Sequence, residues 1–104
     1  MSLQEMPPVE AARMLEEHSD TTVLLDVREP QELLSASVDG ALHIPMAEIP
    51  GRLDEIDPDK TVICMCHLGG RSAYVGEFLL SQGYTRVINL TGGIDAWARD
   101  IGER

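Results

Sequence analysis

At residues 61–72 the chain reads TVICMCHLGGRS, and this stretch decides the fold. Its first half, Thr61–Cys66, is short, rich in β-branched residues and almost continuously apolar, as expected of a strand buried on both faces of a sheet. Its second half is a glycine-rich turn. An amphipathic run then extends from Ser72 to Gln82, with Gly83 as its C-terminal stop. This order predicts one strand-turn-helix unit of a parallel sheet.

The rest of the chain alternates in the same way. Further helices are predicted at 9–18, 32–37, 46–56 (broken by Pro50-Gly51) and 94–101, and further strands at 22–27, 41–44 and 86–90. Such alternation predicts an α/β fold whose parallel sheet is covered by helices on both faces. Because the 104 residues suit one core and contain no linker or repeat, residues 1–104 are predicted to form a single domain.

Composition limits the functions that are open to the chain. Its 18 acidic and 8 basic side chains give a formal charge of −10, which disfavours nucleic acid and anionic lipid as partners. No run approaches the ~20 apolar residues of a membrane span, and the first residues lack the pattern of a secretory signal. The two cysteines, Cys64 and Cys66, lie too close on an extended run for an unstrained disulfide. We therefore expect a cytoplasmic protein with free thiols.

Cys66 is the candidate nucleophile because it lies where the buried strand meets the glycine-rich turn. Ligands of parallel sheets bind beyond the carboxyl ends of the strands. A thiolate is favoured where backbone N–H groups and a helix N-terminus point at the sulfur, and Gly69 and Gly70 allow the main chain to curl that closely. The alternative is a buried apolar cysteine. Cys64 is predicted to face the core and to be inert, with a resolving or regulatory thiol as its alternative.

Four segments of the chain, in order and spacing, resemble the rhodanese-like family of sulfurtransferases. They are DVRE (26–29), GALHIP (40–45), CHLGGRS (66–72), which has the form C-x-x-G-x-R-S, and TGGIDAW (91–97). The resemblance covers nearly the whole chain. It implies a five-stranded, mostly parallel α/β domain in which the cysteine cycles between a thiolate and a persulfide.

The resemblance also assigns roles within the loop. The main-chain amides of the loop are expected to stabilise the terminal sulfur of a Cys66 persulfide; they belong to His67, Leu68, Gly69, Gly70, Arg71 and Ser72. Two roles stay open for Arg71: contact with an anionic substrate, or bracing of the loop through a carboxylate such as Asp26 or Glu29.

The remaining charged side chains near the loop have simpler interpretations. Arg28 borders the mouth of the pocket or forms a surface ion pair, and the second role is the commoner one. His67, if protonated, would lower the pKa of Cys66, but adjacent side chains on a tight turn usually diverge, which favours an exposed loop residue. The C-x-C-H spacing of Cys64, Cys66 and His67 is not a zinc arrangement, so neither a metal nor another cofactor is expected.

The predicted function is sulfur transfer from thiosulfate or a persulfide donor to cyanide or a thiol, through a Cys66 persulfide. The partners would then be a small anionic donor, a thiol acceptor and a sulfur-accepting protein. One alternative is a non-catalytic or carrier module that delivers sulfur to a partner protein. The other is a cysteine-dependent phosphatase. The loops of such enzymes resemble the pattern C-x5-R, with five residues between the cysteine and the arginine, whereas four residues separate Cys66 from Arg71 here.

Overall fold

The computed structural model describes residues 3–102, and within that range five short parallel strands form one sheet. The strands are β1 (Gln4–Met6), β2 (Thr22–Asp26), β3 (Leu42–His43), β4 (Thr61–Met65) and β5 (Val87–Leu90), and their spatial order is β1-β5-β4-β2-β3. The helices are α1 (Pro8–Glu17), α2 (Gly70–Ser81) and α3 (Gly93–Asp100), with 3-10 helix at Pro30–Leu34 and Met46–Glu55.

Strand β4 is the centre of the sheet, paired with β2 on one side and β5 on the other. Because successive side chains of a strand point to opposite faces, its residues contribute to two cores. Val62 and Cys64 pack with residues of α2 and of the 3-10 segment Met46–Glu55. Ile63 and Met65 pack with residues of α1 and α3. The predicted parallel α/β domain with helices on both faces is therefore confirmed.

Strand β1 is the element that the residue pattern did not predict. It has three residues, of which only Met6 is buried, so it carries no apolar alternation to detect. It exists because the edge of β5 offers it partners: Gln4 pairs with Ile88, Glu5 with Asn89 and Met6 with Leu90. The pairing supplies the fifth strand that the family resemblance implied.

The predicted helices at 32–37 and 46–56 are 3-10 helix with shifted bounds. The first begins earlier, at Pro30, because Glu29 and Glu32 form a capping box around its start. The second is interrupted at Arg52, whose φ of −129° and ψ of 24° are not helical. The preceding Pro50 lacks the N–H that a continuous helix would need.

Asp26 and Arg28 form a buried ion pair directly after β2. Their side chains are 1% and 3% exposed; Arg28 Nε lies 3.0 Å from Asp26 Oδ1, and Nη2 lies 2.8 Å from Oδ2. Arg28 also donates to the carbonyl oxygens of Glu32 and Ala36, at 3.3 and 3.0 Å. The expectation of a surface ion pair for Arg28 is wrong, because the segment from 28 to 36 folds over the guanidinium and two of its carbonyl oxygens accept hydrogen bonds from Nη1 and Nη2.

Asp26→Asn tests the contribution of this pair to stability. The substitution leaves the Arg28 guanidinium buried without a counter-charge, so we expect the free energy of unfolding to fall by about 3 kcal/mol. Urea denaturation followed by circular dichroism measures the change. The control is Arg52→Gln, which removes ion pairs to Glu48 and Glu55 at the surface and should have little effect. Equal effects of the two substitutions would contradict the assignment.

Candidate active site

The sulfur of Cys66 lies inside the turn that joins β4 to α2. Its Sγ accepts a hydrogen bond from the backbone N–H of Gly69 at 3.1 Å, and the hydroxyl oxygen of Ser72 lies within hydrogen-bond distance, at 3.3 Å. Gly69 has a φ of 113°, a conformation that glycine adopts without strain. This conformation turns the loop back over the sulfur, and Cys66 as a whole is only 1% exposed.

The hydrogen bonds to Cys66 outweigh the effect of its burial on the thiol. Burial raises the pKa of Cys66, whereas the Ser72 hydroxyl and the backbone N–H groups of Ser72, Gly69 and Leu68 lower it, and the net pKa lies below the usual value. Donors placed around the sulfur in this way, above all the Gly69 N–H and the Ser72 hydroxyl, favour its anionic form. The loop can therefore present a thiolate without a neighbouring base.

The second cysteine differs from the first in the direction of its pKa shift. Cys64 is buried in the core, and that burial, together with the negative charge of Cys66, raises the pKa of Cys64 to about 12. Both cysteines are free thiols. Cys64 is thus a neutral core side chain, as its position on the strand predicted.

The start of α3 holds the outer side of the loop. The backbone N–H groups of Ile94 and Asp95 donate to the carbonyl oxygens of Cys66 and His67, at 2.8 and 3.2 Å. Gly93 allows this approach: its φ is 61°, and a Cβ there would overlap both carbonyl oxygens. With its carbonyls turned outward to α3, the loop turns its N–H groups inward to the sulfur. The motif TGG (91–93) lies at this contact, although no role for it was predicted from the sequence.

Arg71 is paired with Glu32, which the sequence did not single out. The two side chains form a two-pronged ion pair, with Nη1–Oε1 at 2.7 Å and Nη2–Oε2 at 2.8 Å. The two carboxylates expected from the sequence are engaged elsewhere: Asp26 binds Arg28, and Glu29 caps the 3-10 helix. The expected partners of Arg71 were therefore wrong, because the helical turn at Pro30–Leu34 presents Glu32, and not Glu29, to the loop.

The ion pair with Arg71 persists over a wide range of pH. The hydrogen bonds from Arg71, and then from the backbone N–H of Glu29, lower the pKa of Glu32 from 4.5 to about 2. A depressed carboxyl pKa contributes stability that is complete above the unfolded value and is lost as the pH falls through the folded one. The brace is consequently complete above about pH 4.5 and weakens only towards pH 2.

A second polar residue that the sequence did not single out is Asn89, on β5. Its Oδ1 accepts a 2.6 Å hydrogen bond from the Ser72 hydroxyl, and its Nδ2 donates to the carbonyl oxygen of Gly69 at 3.1 Å. The signal was present: Asn89 is the one polar residue of the strand VINL, and it is buried. A buried amide at this position needs hydrogen-bond partners, and it finds them in the active-site loop.

An open cleft of about 260 Å³ lies beside the loop. Its walls include Arg28, Glu32, His67, Ile94 and Asp95, but not Cys66. His67 and Leu68, whose side chain is 64% exposed, stand at the surface of the loop. The predicted loop residues thus divide into those that face the sulfur and those that face the surroundings.

Membrane spans and metal sites are both absent from residues 3–102. Among these residues no helix combines the length and apolar character needed to cross a membrane. Nor does any group of three histidine, cysteine or acidic side chains in that range have a geometry that could hold a metal ion.

Comparisons with known proteins agree with this geometry. Residues 8–100 match the model of the rhodanese-like domain. A sulfurtransferase of Allochromatium vinosum is 43% identical over 81 residues, which cover 78% of this chain and 76% of that protein. The rhodanese-like/PpiC domain-containing protein 12 of Arabidopsis thaliana, a chloroplastic protein, is 36% identical over an alignment of 111 positions, which covers 95% of this chain and 37% of the plant protein.

The solved structures give the same result. The crystal structure of a rhodanese-related protein from Thermoplasma volcanium has a TM-score of 0.80 and 31% identity, with 97% of this chain and 95% of that chain covered. The family predicted from the four sequence segments is therefore confirmed, and the relatives support a role in sulfur transfer. The chain belongs to the rhodanese-like family.

Proposed function

We propose that this protein is a sulfurtransferase that carries sulfane sulfur as a persulfide on Cys66. The observation that supports this best is the pair of donors, the Gly69 N–H at 3.1 Å and the Ser72 hydroxyl at 3.3 Å, that point to Sγ, together with the lowered pKa of the Cys66 thiol. They favour a thiolate in the resting protein. Because a hydrogen-bond donor prefers negative charge, the same N–H groups would also stabilise the anionic outer sulfur of a persulfide.

With thiosulfate as donor, the reaction needs no proton transfer. The Cys66 thiolate attacks the outer sulfur, a bond forms between the two sulfur atoms, and the bond to the sulfonyl group breaks with its electron pair leaving on sulfite. Sulfite is a stable anion, so a general acid is not required. Cyanide or an acceptor thiolate then attacks the outer sulfur of the persulfide and returns Cys66 to the thiolate. A persulfide donor would react in the same way, with a thiolate leaving.

The geometry favours sulfur transfer over phosphoryl transfer. A cysteine-dependent phosphatase needs a free guanidinium to clamp the phosphoryl oxygens, but both prongs of Arg71 are occupied by Glu32. The short loop, with four residues between Cys66 and Arg71, also leaves less room for a tetrahedral group. We therefore assign Arg71 to bracing the loop and not to binding an anion.

The acceptor is proposed to be a thiol, free or on a partner protein. A carrier role requires the same persulfide on Cys66 and differs only in where the sulfur goes next. The exposed Leu68 and His67 would meet either kind of acceptor at the surface of the loop. Cytoplasmic location stays a prediction of the sequence.

Intact-mass measurement after incubation with thiosulfate tests the assignment of the nucleophile. We expect the protein to gain one sulfur atom and to lose it on addition of cyanide. Cys66→Ser should abolish the gain because the proposed nucleophile is missing. Cys64→Ser is the matched control, two residues away on the same strand, and should keep it. Loss of the adduct in Cys64→Ser alone would show that the wrong thiol has been chosen.

Glu32→Ala and Arg71→Ala together separate the two roles of Arg71. If Arg71 braces the loop, each substitution should lower kcat/KM for thiocyanate formation by about tenfold or more, and the double variant should be no worse than either one. Steady-state kinetics with thiosulfate and cyanide measure this. If Arg71 instead binds the donor anion, Glu32→Ala would free the guanidinium and lower KM, whereas Arg71→Ala would raise it.

Gly93→Ala tests the contact between α3 and the loop. The added Cβ would push against the carbonyls of Cys66 and His67, so we expect a loss of at least about 2 kcal/mol in the free energy of unfolding and a higher pKa of the Cys66 thiol. Gly83→Ala is the control, since Gly83 also has a positive φ, of 96°, but open space around it. It should cost about 1 kcal/mol and leave the thiol pKa unchanged. A shift of the thiol pKa in both variants would contradict a specific role for Gly93.

A further inference from the structure

A chain of hydrogen bonds connects the sulfur of Cys66 to a carboxylate on the edge strand. Ser72 Oγ lies 3.3 Å from Cys66 Sγ and 2.6 Å from Asn89 Oδ1. Asn89 Nδ2 lies 3.2 and 3.1 Å from the two carboxylate oxygens of Glu5, and 3.1 Å from the Gly69 carbonyl oxygen. The chain thus links β1, β5, the loop and α2.

The surroundings of Asn89 fix the orientation of its amide. Its nitrogen faces three oxygen acceptors, two from Glu5 and one from Gly69. Inverting the amide would place Oδ1 against all three, and none of them has a proton to donate while Glu5 is ionised. Oδ1 must therefore face Ser72, where it can only accept a hydrogen bond.

Ser72 has one hydroxyl proton and two acceptors within reach. The shorter contact, 2.6 Å, is to Asn89 Oδ1, and the longer, 3.3 Å, is to Cys66 Sγ. While Cys66 is a thiol, both contacts are satisfied, because S–H can donate to Ser72 Oγ and the hydroxyl can donate to Asn89. When Cys66 is a thiolate, the sulfur and Asn89 Oδ1 both require the hydrogen bond that the single Ser72 hydroxyl proton can donate.

We propose that Asn89 is a positioning residue that competes with Cys66 for the single hydroxyl proton of Ser72. The hydroxyl points to the sulfur in the thiolate and returns to Asn89 when the persulfide has formed. This inference rests on the proposed function, since it needs the negative charge to move from Sγ to the outer sulfur. Once that has happened, Sγ carries no charge and makes little demand on the proton.

The competition has a consequence for reactivity. A thiolate that is strongly stabilised is a weak nucleophile, and intrinsic rates fall by about threefold for each unit by which the thiol pKa drops. Because Asn89 competes for the hydrogen bond from the Ser72 hydroxyl, the thiolate is less strongly stabilised and stays reactive. Asn89 also favours the persulfide over the thiolate, because only the thiolate must compete with Asn89 for the hydrogen bond from the Ser72 hydroxyl.

Other ionisable groups around the loop are set apart from this competition. Those nearest the loop are Arg71 on α2, paired with Glu32, and Glu29 beside them; Cys64 on β4; His67 in the loop; and Asp95 on α3. Glu5 on β1 acts through Asn89. A neutral substitution at position 89 changes none of these charges, so its effect on the thiol can be attributed to the hydrogen bonds.

The test is a double-substitution cycle on the thiol pKa of Cys66, measured by the ultraviolet absorbance of the thiolate in a Cys64→Ala background. Asn89→Leu removes the competing acceptor and should lower the pKa by about one unit. Ser72→Ala removes the donor and should raise it by about one unit. In the double variant most of the shift caused by Asn89→Leu should disappear, because the hydroxyl for which Asn89 competes is gone; the remainder measures the lost hydrogen bond from Asn89 to the Gly69 carbonyl.

Thr91→Val is the matched control for the cycle. It removes the 3.1 Å hydrogen bond that the Thr91 hydroxyl donates to Glu5 Oε1. Thr91 lies two residues after Asn89 and does not bind Ser72, so the pKa of the Cys66 thiol should stay unchanged. An equal shift from Asn89→Leu with and without Ser72 would overturn the proposal. If Asn89→Leu fails to fold, an unchanged pKa in Ser72→Ala overturns it as well.

Sulfur uptake supplies the second measurement. At a pH above all the thiol pKa values, the rate constant for uptake from thiosulfate should be about threefold lower in Asn89→Leu than in the parent, because its thiolate is the weaker nucleophile. An unchanged or higher rate constant would count against the competition. If the parent itself takes up no sulfur, the proposed function fails, and the pKa cycle alone then decides whether the proton is shared.

Discussion

The buried Asp26–Arg28 ion pair is the interaction on which the site depends most. Two charges can be buried without a large cost only when ion pairing and hydrogen bonds replace the lost water. Here the guanidinium forms hydrogen bonds with a carboxylate and two backbone carbonyls. Those carbonyls belong to Glu32 and Ala36, so the segment from 28 to 36 is fixed against the sheet. Glu32 is thereby placed to hold Arg71, and through it the start of α2 and the loop.

The loop is held from outside so that its N–H groups can point inside. It has three separate supports, namely Glu32 on the Arg71 side, the N-terminus of α3 at the carbonyls of Cys66 and His67, and Asn89 at the Gly69 carbonyl. Each support binds the outer surface of the loop. A backbone whose carbonyls are turned outward presents its N–H groups to the centre, and such a preorganised set of donors stabilises an anion without rearranging.

The acidic composition of the chain is compatible with the anionic sulfur donor that we propose. The formal charge of −10 would repel a donor such as thiosulfate at long range, but surface charges are screened by salt within about 10 Å. At the sulfur itself the relevant charges are the partial positive charges of the loop amides and the Ser72 hydroxyl. The net charge of the chain therefore affects which macromolecules the protein binds, whereas the dipoles of the loop affect the chemistry at the sulfur.

The amino-acid sequence alone was enough to predict the parallel α/β sheet, the family and the burial of Cys64 in the core, and it supplied Cys66 as the candidate thiol. The sheet, the burial of Cys64 and the candidate thiol depend on local features: the continuous apolar run at 61–66, the glycines that follow it and the side-chain alternation of one strand. The family rests on the resemblance of four segments in order and spacing. The tertiary structure alone decided the partners of Arg28 and Arg71, the strand at Gln4–Met6 and the place of Asn89. The contacts of Arg71, of Asn89 and of the strand Gln4–Met6 join residues up to 84 positions apart, and they depend on how separate elements pack, which no local pattern records. The partners of Arg28 lie within eight residues of it, but which of them reach the guanidinium depends on how the segment from 28 to 36 folds against the sheet.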